Sequence, residues 1–223
     1  MPGRLIAIGD IHGCAREFED LLERLELRAA DRVVLLGDLV NRGPDSARVI
    51  QLARRHATVA LLGNHELRLL NYRKTDDPSH LKKYDYATLE QLGSRDWEYL
   101  AAMPLTYADR QHGVVFVHGG FLPGLPWRKQ PARVVTRIQV VDREGEPRKR
   151  SEAPGADHWS EQWKGPPFVV YGHTPRESIA ETKWTLGIDT SCVQGGALTA
   201  CIFPGREIVQ VRARKKYYTP NGR

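Results

Sequence analysis

Cysteine is scarce in this sequence, with only Cys14, Cys192 and Cys201 among 223 residues. Thiols so few and so scattered exclude a disulfide framework and a zinc knuckle. They fit buried free thiols in a reducing compartment. No apolar run approaches the ~20 residues needed to cross a bilayer. The N-terminus enters a strand pattern at once, without the apolar stretch of a secretory leader. A soluble, cytoplasmic protein with no membrane partner is expected. Internal repeats and low-complexity tracts are missing as well. Acidic residues are in the minority, 27 against 33 Lys and Arg, for a net charge of +6. That balance suits an anionic substrate such as phosphate or a nucleotide, with no stable nucleic-acid partner predicted. A hydrophobic fraction of 41 % is adequate for a core, and the length corresponds to a single domain over residues 1–223.

What the sequence does contain is one device used five times. Val33-Val34-Leu35-Leu36 is an apolar run that reads as a buried strand, and it ends in Gly37-Asp38-Leu39-Val40-Asn41-Arg42-Gly43-Pro44. A single Asp after a strand is ordinarily a helix cap or a turn residue. Here, however, Leu5-Ile6-Ala7-Ile8 ends in Gly9-Asp10-Ile11-His12-Gly13, and Val59-Ala60-Leu61-Leu62 in Gly63-Asn64-His65-Glu66. Val114-Val115-Phe116-Val117 ends in His118-Gly119-Gly120, and Phe168-Val169-Val170-Tyr171 in Gly172-His173-Thr174. In open α/β sheets, sites form beyond the carboxyl ends of the strands. Asp, Asn and His without thiolate are hard-to-borderline metal ligands. Six of them exceed what one tetrahedral ion needs, so the set reads as a centre for two ions.

The first third alternates strand and helix: strands at 4–9, 32–36 and 58–62, and helices over 15–27, from Gly43-Pro44 to His56, and over 65–72. Such alternation predicts a mainly parallel sheet covered by helices. Residues 73–102 read as helical with a break at Asp76-Asp77-Pro78-Ser79. Strands at 105–109, 113–118, 168–172, 184–188, 197–203 and 207–211 read as a second, largely antiparallel sheet. The long connection 119–166 holds eight Lys or Arg against three acids between Arg128 and Arg150. Long loops inside compact domains are usually functional or disordered. The basic stretch 212–223 reads as a partly frayed end. His56, His80, His112 and His158 have no such context and read as ordinary residues.

These blocks resemble the calcineurin-like metallophosphoesterases, within the phosphoprotein phosphatase superfamily. Gly-Asp-x-His-Gly, Gly-Asp-x-Val-x-Arg-Gly, Gly-Asn-His-Asp/Glu, a later His-Gly and a Gly-His follow one another in that order. The chain looks most like the symmetrical diadenosine tetraphosphate hydrolases and their relatives. Asn41 stands where protein phosphatases have Asp, Thr136-Arg137-Ile138 lies in the long loop, and Gly187-Ile188-Asp189-Thr190 precedes Gly195-Gly196-Ala197-Leu198-Thr199. Ser191 and Gln194 occupy positions where that ending has glycine and an aromatic, which alters the substrate-side wall. The implied fold is an α/β metallophosphatase-type β-sandwich of two mixed sheets flanked by helices.

The resemblance also implies roles. Asp10, His12 and Asp38 hold one metal, Asp38, Asn64, His118 and His173 the other, and Asp38 bridges. Two divalent ions are implied, Mn foremost, with Fe or Zn as alternatives. Ions so placed can clamp the attacking and leaving oxygens of an in-line displacement and activate a water between them. His65 resembles the acid that protonates the leaving oxygen, and Asn41 orients it in place of a carboxylate. Arg42 and Arg137 are the residues that grip phosphate, with Arg133 and Arg143 as rivals to Arg137. The implied reaction is symmetrical hydrolysis of dinucleoside polyphosphates, diadenosine tetraphosphate giving two ADP. A Ser/Thr or Tyr protein phosphatase is the alternative, so the partner is a phosphorylated small molecule or a phosphoprotein. A catalytically dead phosphate- or RNA-binding module is the third reading, which loss of any of Asp10, Asp38 or His173 would favour.

Overall fold

The computed structural model describes residues 3–220. The strands are β1 (Leu5–Ile8), β2 (Arg32–Leu35), β3 (Val59–Ala60), β4 (Thr106–Asp109), β5 (Val114–Val117), β6 (Val140–Val141), β7 (Pro147–Arg148), β8 (Phe168–Tyr171), β9 (Ala180–Glu181), β10 (Thr185–Gly187), β11 (Ala197–Phe203) and β12 (Glu207–Arg212). The helices are α1 (Ala15–Leu25), α2 (Ser46–His56), α3 (Asn64–Thr75), α4 (Asp85–Leu89), α5 (Ser94–Ala101), α6 (Ala132–Val135) and α7 (Trp159–Gln162).

Two five-stranded sheets form, in the orders β12-β11-β1-β2-β3 and β4-β5-β8-β10-β9. The first is parallel through β1, β2 and β3 and antiparallel where β11 joins β1. The second is parallel through β5, β8 and β10 and antiparallel at both edges. Both sheets are mixed and helices flank them, as the resemblance implies. The last two strands correct the expectation of a largely antiparallel second sheet, since β11 and β12 extend the first sheet instead. A long antiparallel register of β11 on β1, Leu5 opposite Phe203 and Ile8 opposite Ala200, takes them there.

Period-two alternation builds the layers. In β1, Ile6 and Ile8 face the helices, among Phe18, Leu21 and Val49. Leu5 and Ala7 face the second sheet, among Val34, Phe116 and Val170. Each fully buried Ile or Leu contributes about 2 kcal/mol by leaving water. The outer face of the second sheet, with Val115, Val117, Val169 and Tyr171, is covered by Phe121, Val134 and Trp159 from the 119–166 connection. That connection is therefore an ordered fourth layer, with α6, α7 and the β6–β7 hairpin. An Arg32–Asp109 ion pair ties β2 of one sheet to β4 of the other.

Three local readings change. Pro44 lies ahead of the α2 cap, because Asp45 caps the helix by accepting from the Arg48 amide at 2.9 Å. Helix α3 runs on to Thr75, past the expected end at 72. The 73–102 stretch is broken into short helices, with Asp77 capping a single turn at Pro78–His80. Among the described residues no helix is long and apolar enough to cross a membrane.

Candidate metal centre

The six expected ligands come from five strand ends and meet at one end of the sandwich. Asp10 and His12 follow β1, Asp38 follows β2, Asn64 follows β3, His118 follows β5 and His173 follows β8. Asp38 is the hinge of the group. Its Oδ2 lies 3.5 Å from His12 Nε2 and 3.9 Å from His65 Nε2. Its Oδ1 lies 3.4 Å from His118 Nε2, which is 3.2 Å from Asn64 Oδ1. Two triads of potential ligands result, His12–Asp38–His65 and Asp38–His118–His173, with ligand atoms within 4.8 Å of one another in each. Asp10 accepts from the His173 amide at 3.0 Å and 3.2 Å.

The backbone is bent to allow this. His12, Asp38, Asn41, Arg42 and His173 all have positive φ, between 49° and 73°. Such conformations cost about 1–3 kcal/mol each and persist only where the surroundings enforce them. Glu66 supplies much of that enforcement. Its buried carboxylate accepts from the amides of Asp38, Leu39, Val40 and Gly63, at 3.0, 2.7, 3.2 and 3.0 Å. Gly63 has to be glycine, because a Cβ there would stand 2.2 Å from Asp38 Oδ1.

The donor set fits divalent cations. His12 Nδ1 is 3.0 Å from the Val40 carbonyl and His118 Nδ1 is 2.8 Å from that of Leu36. Each therefore donates its Nδ1–H to backbone and leaves Nε2 as the lone pair. His173 is turned the other way, its Nε2 donating to the Arg137 carbonyl at 3.1 Å, so Nδ1 is its free nitrogen. Burial, with Asp189 and Asp38 nearby, pushes the Asp10 carboxyl well above its usual range. Burial also pushes Asp189 up to about 6 and Glu66 up to about 7. Burial would raise Asp38 too, but His118, His65 and His12 outweigh it and hold it well below the usual range. Burial opposes the charged form of His118, yet Asp38, Asp10 and Glu66 bring it to about 10, so a cation held here would have to replace its proton. Burial leaves His12 and His173 neutral, each at about 3. Buried carboxylates of Asp10, Asp38 and Asp189 beside imidazoles with oriented lone pairs form a donor set that could hold a cation.

The cleft over this centre has a volume of about 570 Å³ and is lined by Asp38, Asn64, His65 and His173 together with Arg42, Arg68, Lys82, Arg137 and Lys149. A larger hollow of about 920 Å³ lies in the 141–162 segment and contains none of the candidate ligands. Arg42 Nη1 lies 3.0 Å from His12 Nε2. Of the three rival arginines, Arg137 lines the cleft, Arg133 lines an adjoining hollow of about 240 Å³, and Arg143 borders the large distant one. Asn41 reaches His65 as the sequence implies, with Nδ2 3.1 Å from Nδ1.

Several residues were not identified from the sequence. Arg68 donates to His65 Nδ1 at 3.2 Å and is gripped by Asp85 through two bonds of 2.8 Å. Asp189, 9 % exposed, is a further carboxylate beside Asp10 and Asp38. The signal for it was available: β10 and Ile188 form another apolar run ending in an acid. Tyr84 stacks on His65, with centroids 5.4 Å apart and an interplanar angle of 16°. Nothing in the local pattern of 73–102 marks Tyr84 or Asp85.

Residues 3–203 match the calcineurin-like phosphoesterase family. A bis(5'-nucleosyl)-tetraphosphatase of the asymmetrical kind (PrpE) from Oceanobacillus iheyensis is 30 % identical, over 94 % of this chain and 92 % of its own length. A symmetrical bis(5'-nucleosyl)-tetraphosphatase from Aromatoleum aromaticum is 40 % identical, over 60 % of this chain and 49 % of its own. A crystal structure provisionally assigned as a diadenosine tetraphosphatase superimposes with a TM-score of 0.84 at 33 % identity, covering 96 % of each chain.

Proposed function

The chain belongs to the calcineurin-like phosphoesterase family, and on that premise we propose that it is a cytoplasmic two-metal hydrolase of dinucleoside polyphosphates. Its metal residues are Asp10, His12, Asp38, Asn64, His118 and His173, with Asp38 shared. Two divalent ions in such a set supply Lewis acidity toward phosphoryl oxygens and an activated water. Oxygen and imidazole donors without thiolate suit Mn, Fe or Zn.

The observation that carries the choice of substrate is the surroundings of His65. Its Nδ1 faces two donors, Asn41 Nδ2 and Arg68 Nη2. Burial, with His12, Arg42 and Arg68 adding to it and Asp38 opposing, holds the ring well below its ordinary pKa. His65 is then neutral, with its proton on Nε2, the nitrogen nearer Asp38. It gives a hydrogen bond to the leaving oxygen but is poorly placed to give up a proton as imidazolium. A nucleotide leaves as a phosphate anion and needs only the hydrogen bond. A serine or threonine alkoxide needs the proton. This supports the phosphoanhydride reading over the protein-phosphatase one.

The relative aligned over almost its whole length bears the asymmetrical name, so we take cleavage into nucleoside triphosphate and monophosphate as the first reading. The symmetrical expectation, two diphosphates, has the 40 % identical relative behind it and is the second. Brief digestion of diadenosine tetraphosphate with Mn²⁺, resolved by anion exchange, is expected to give ATP and AMP in equal amounts. ADP alone would establish the symmetrical mode, and turnover of a phosphopeptide but not the dinucleotide would overturn the substrate class.

Arg42 and Arg137 bind the phosphates. Among the described residues the Arg137 guanidinium has no ion-pair partner, and its carbonyl holds His173. Loss of one charge-assisted contact costs about 1.5–3 kcal/mol, or roughly ten- to a hundredfold in kcat/KM. Arg137→Ala is expected to show that loss on the dinucleotide, whereas a silent variant would remove Arg137 from the phosphate site.

A further inference from the structure

We propose that the C-terminal segment 213–220 is a wall of this cleft, and that its Tyr218 receives the base of a nucleoside polyphosphate. The proposal rests on the nucleotide reading above and extends it to the part of the substrate beyond the phosphates.

The basic composition of 212–223 predicts a frayed end. Residues 213–218 are instead tied down, while 221–223 lie outside the described residues. Ala213 donates to the Gly196 carbonyl at 2.9 Å, and the amides of Tyr217 and Tyr218 donate to that of Val193, each at 3.0 Å. Glu17, wholly buried in α1, accepts from the Arg214 amide at 2.9 Å and the Tyr217 hydroxyl at 2.8 Å, both through Oε1. The Arg214 guanidinium reaches Asp20 at 2.7 Å. A buried carboxylate is costly to place, and the described hydrogen bonds of this one go only to the tail.

The anchor delivers Tyr218 into the cleft. Its ring meets Tyr84 edge-on, with centroids 5.7 Å apart at 85°. The Arg42 guanidinium carbon lies 5.0 Å from the Tyr218 centroid and 5.6 Å from that of Tyr84. Tyr84 already stacks on His65, which leaves Tyr218 as the ring to meet a ligand. An aromatic ring directly beside a phosphate-binding guanidinium matches a ligand with a flat base next to a phosphate. Neither inorganic polyphosphate nor a phosphoserine side chain has such a group. Gln194 stands where the resembled family has an aromatic, and Tyr218 is bonded to Val193 next to it.

The test compares calorimetric titrations of the manganese-loaded protein with ADP and with pyrophosphate, ligands that differ in the nucleoside. One stacked base is expected to make ADP bind about tenfold more tightly. Tyr218→Ala should reduce that ratio to near one, and Tyr218→Phe should retain it. A chain ending at Tyr217 keeps the Glu17 anchor and should match the alanine variant. A ratio that survives in Tyr218→Ala, or a wild-type ratio near one, overturns the proposal. Neither titration requires turnover. A protein that prefers ADP through Tyr218 but leaves diadenosine tetraphosphate intact would therefore refute the hydrolase reading and keep the wall.

Discussion

Asp38→Asn is expected to hold at most one divalent ion per chain against the two proposed for the native protein, and to lose about 10³-fold or more in kcat/KM. The reason is the division of its carboxylate. Oδ1 lies toward His118 and Oδ2 toward His12, so one side chain faces both triads. An amide keeps the shape and only one acceptor, and it removes the negative charge that holds two like-charged ions close. Metal catalysis of this type supplies several kcal/mol, and about 1.4 kcal/mol is a factor of ten. Metal content by elemental analysis, with circular dichroism to verify the fold, measures the first part, and turnover of diadenosine tetraphosphate the second. Two ions retained in Asp38→Asn would show that Asp38 does not bridge.

The second large effect is selective. His65→Ala is expected to slow hydrolysis of an alkyl phosphate by about 10²-fold, the lower end of the range for lost proton transfer, and that of the dinucleotide by no more than about tenfold, the worth of a hydrogen bond. The contrast follows from the leaving groups, since an alkoxide needs the Nε2 proton and a nucleotide only its hydrogen bond, while the Arg68 and Asn41 donors on Nδ1 keep the ring neutral and hold the alkyl effect at the low end. Arg68 is in turn fixed by buried Asp85. Metal content should not change on the proposed assignment, in which Asn64 is the ligand on that segment; a loss of metal would place His65 in the His12–Asp38–His65 triad as a ligand. Equal losses on both substrates would mean that His65 acts otherwise than on the leaving oxygen.

The strand ends were legible because the sequence marks them twice, by an apolar run and by the polar residue that closes it. Asp10, Asp38, Asn64, His118 and His173 all follow that rule, and Asp189 follows it too. Two things were not legible. The sheet that β11 and β12 join is decided by register across nearly two hundred residues, and local patterning carries no such information. Tyr84, Asp85 and Tyr218 come from segments whose composition resembles that of any polar surface. Their positions depend on a partner elsewhere, such as Glu17, whose place in an amphipathic helix shows no sign that a tail will bind it. Arg137 could be separated from Arg133 and Arg143 only by the direction each side chain takes from an irregular connection.

The four amides gathered by Glu66 bear on how the enzyme is charged with metal. Buried hydrogen bonds to a carboxyl are costly to leave unmade, and these four hold the Asp38 turn through the protein itself. The turn is therefore held by contacts within the protein's own fold. On the proposed metal reading, a chelator is expected to remove the ions without changing the circular dichroism of the protein, and added Mn²⁺ to restore activity without refolding.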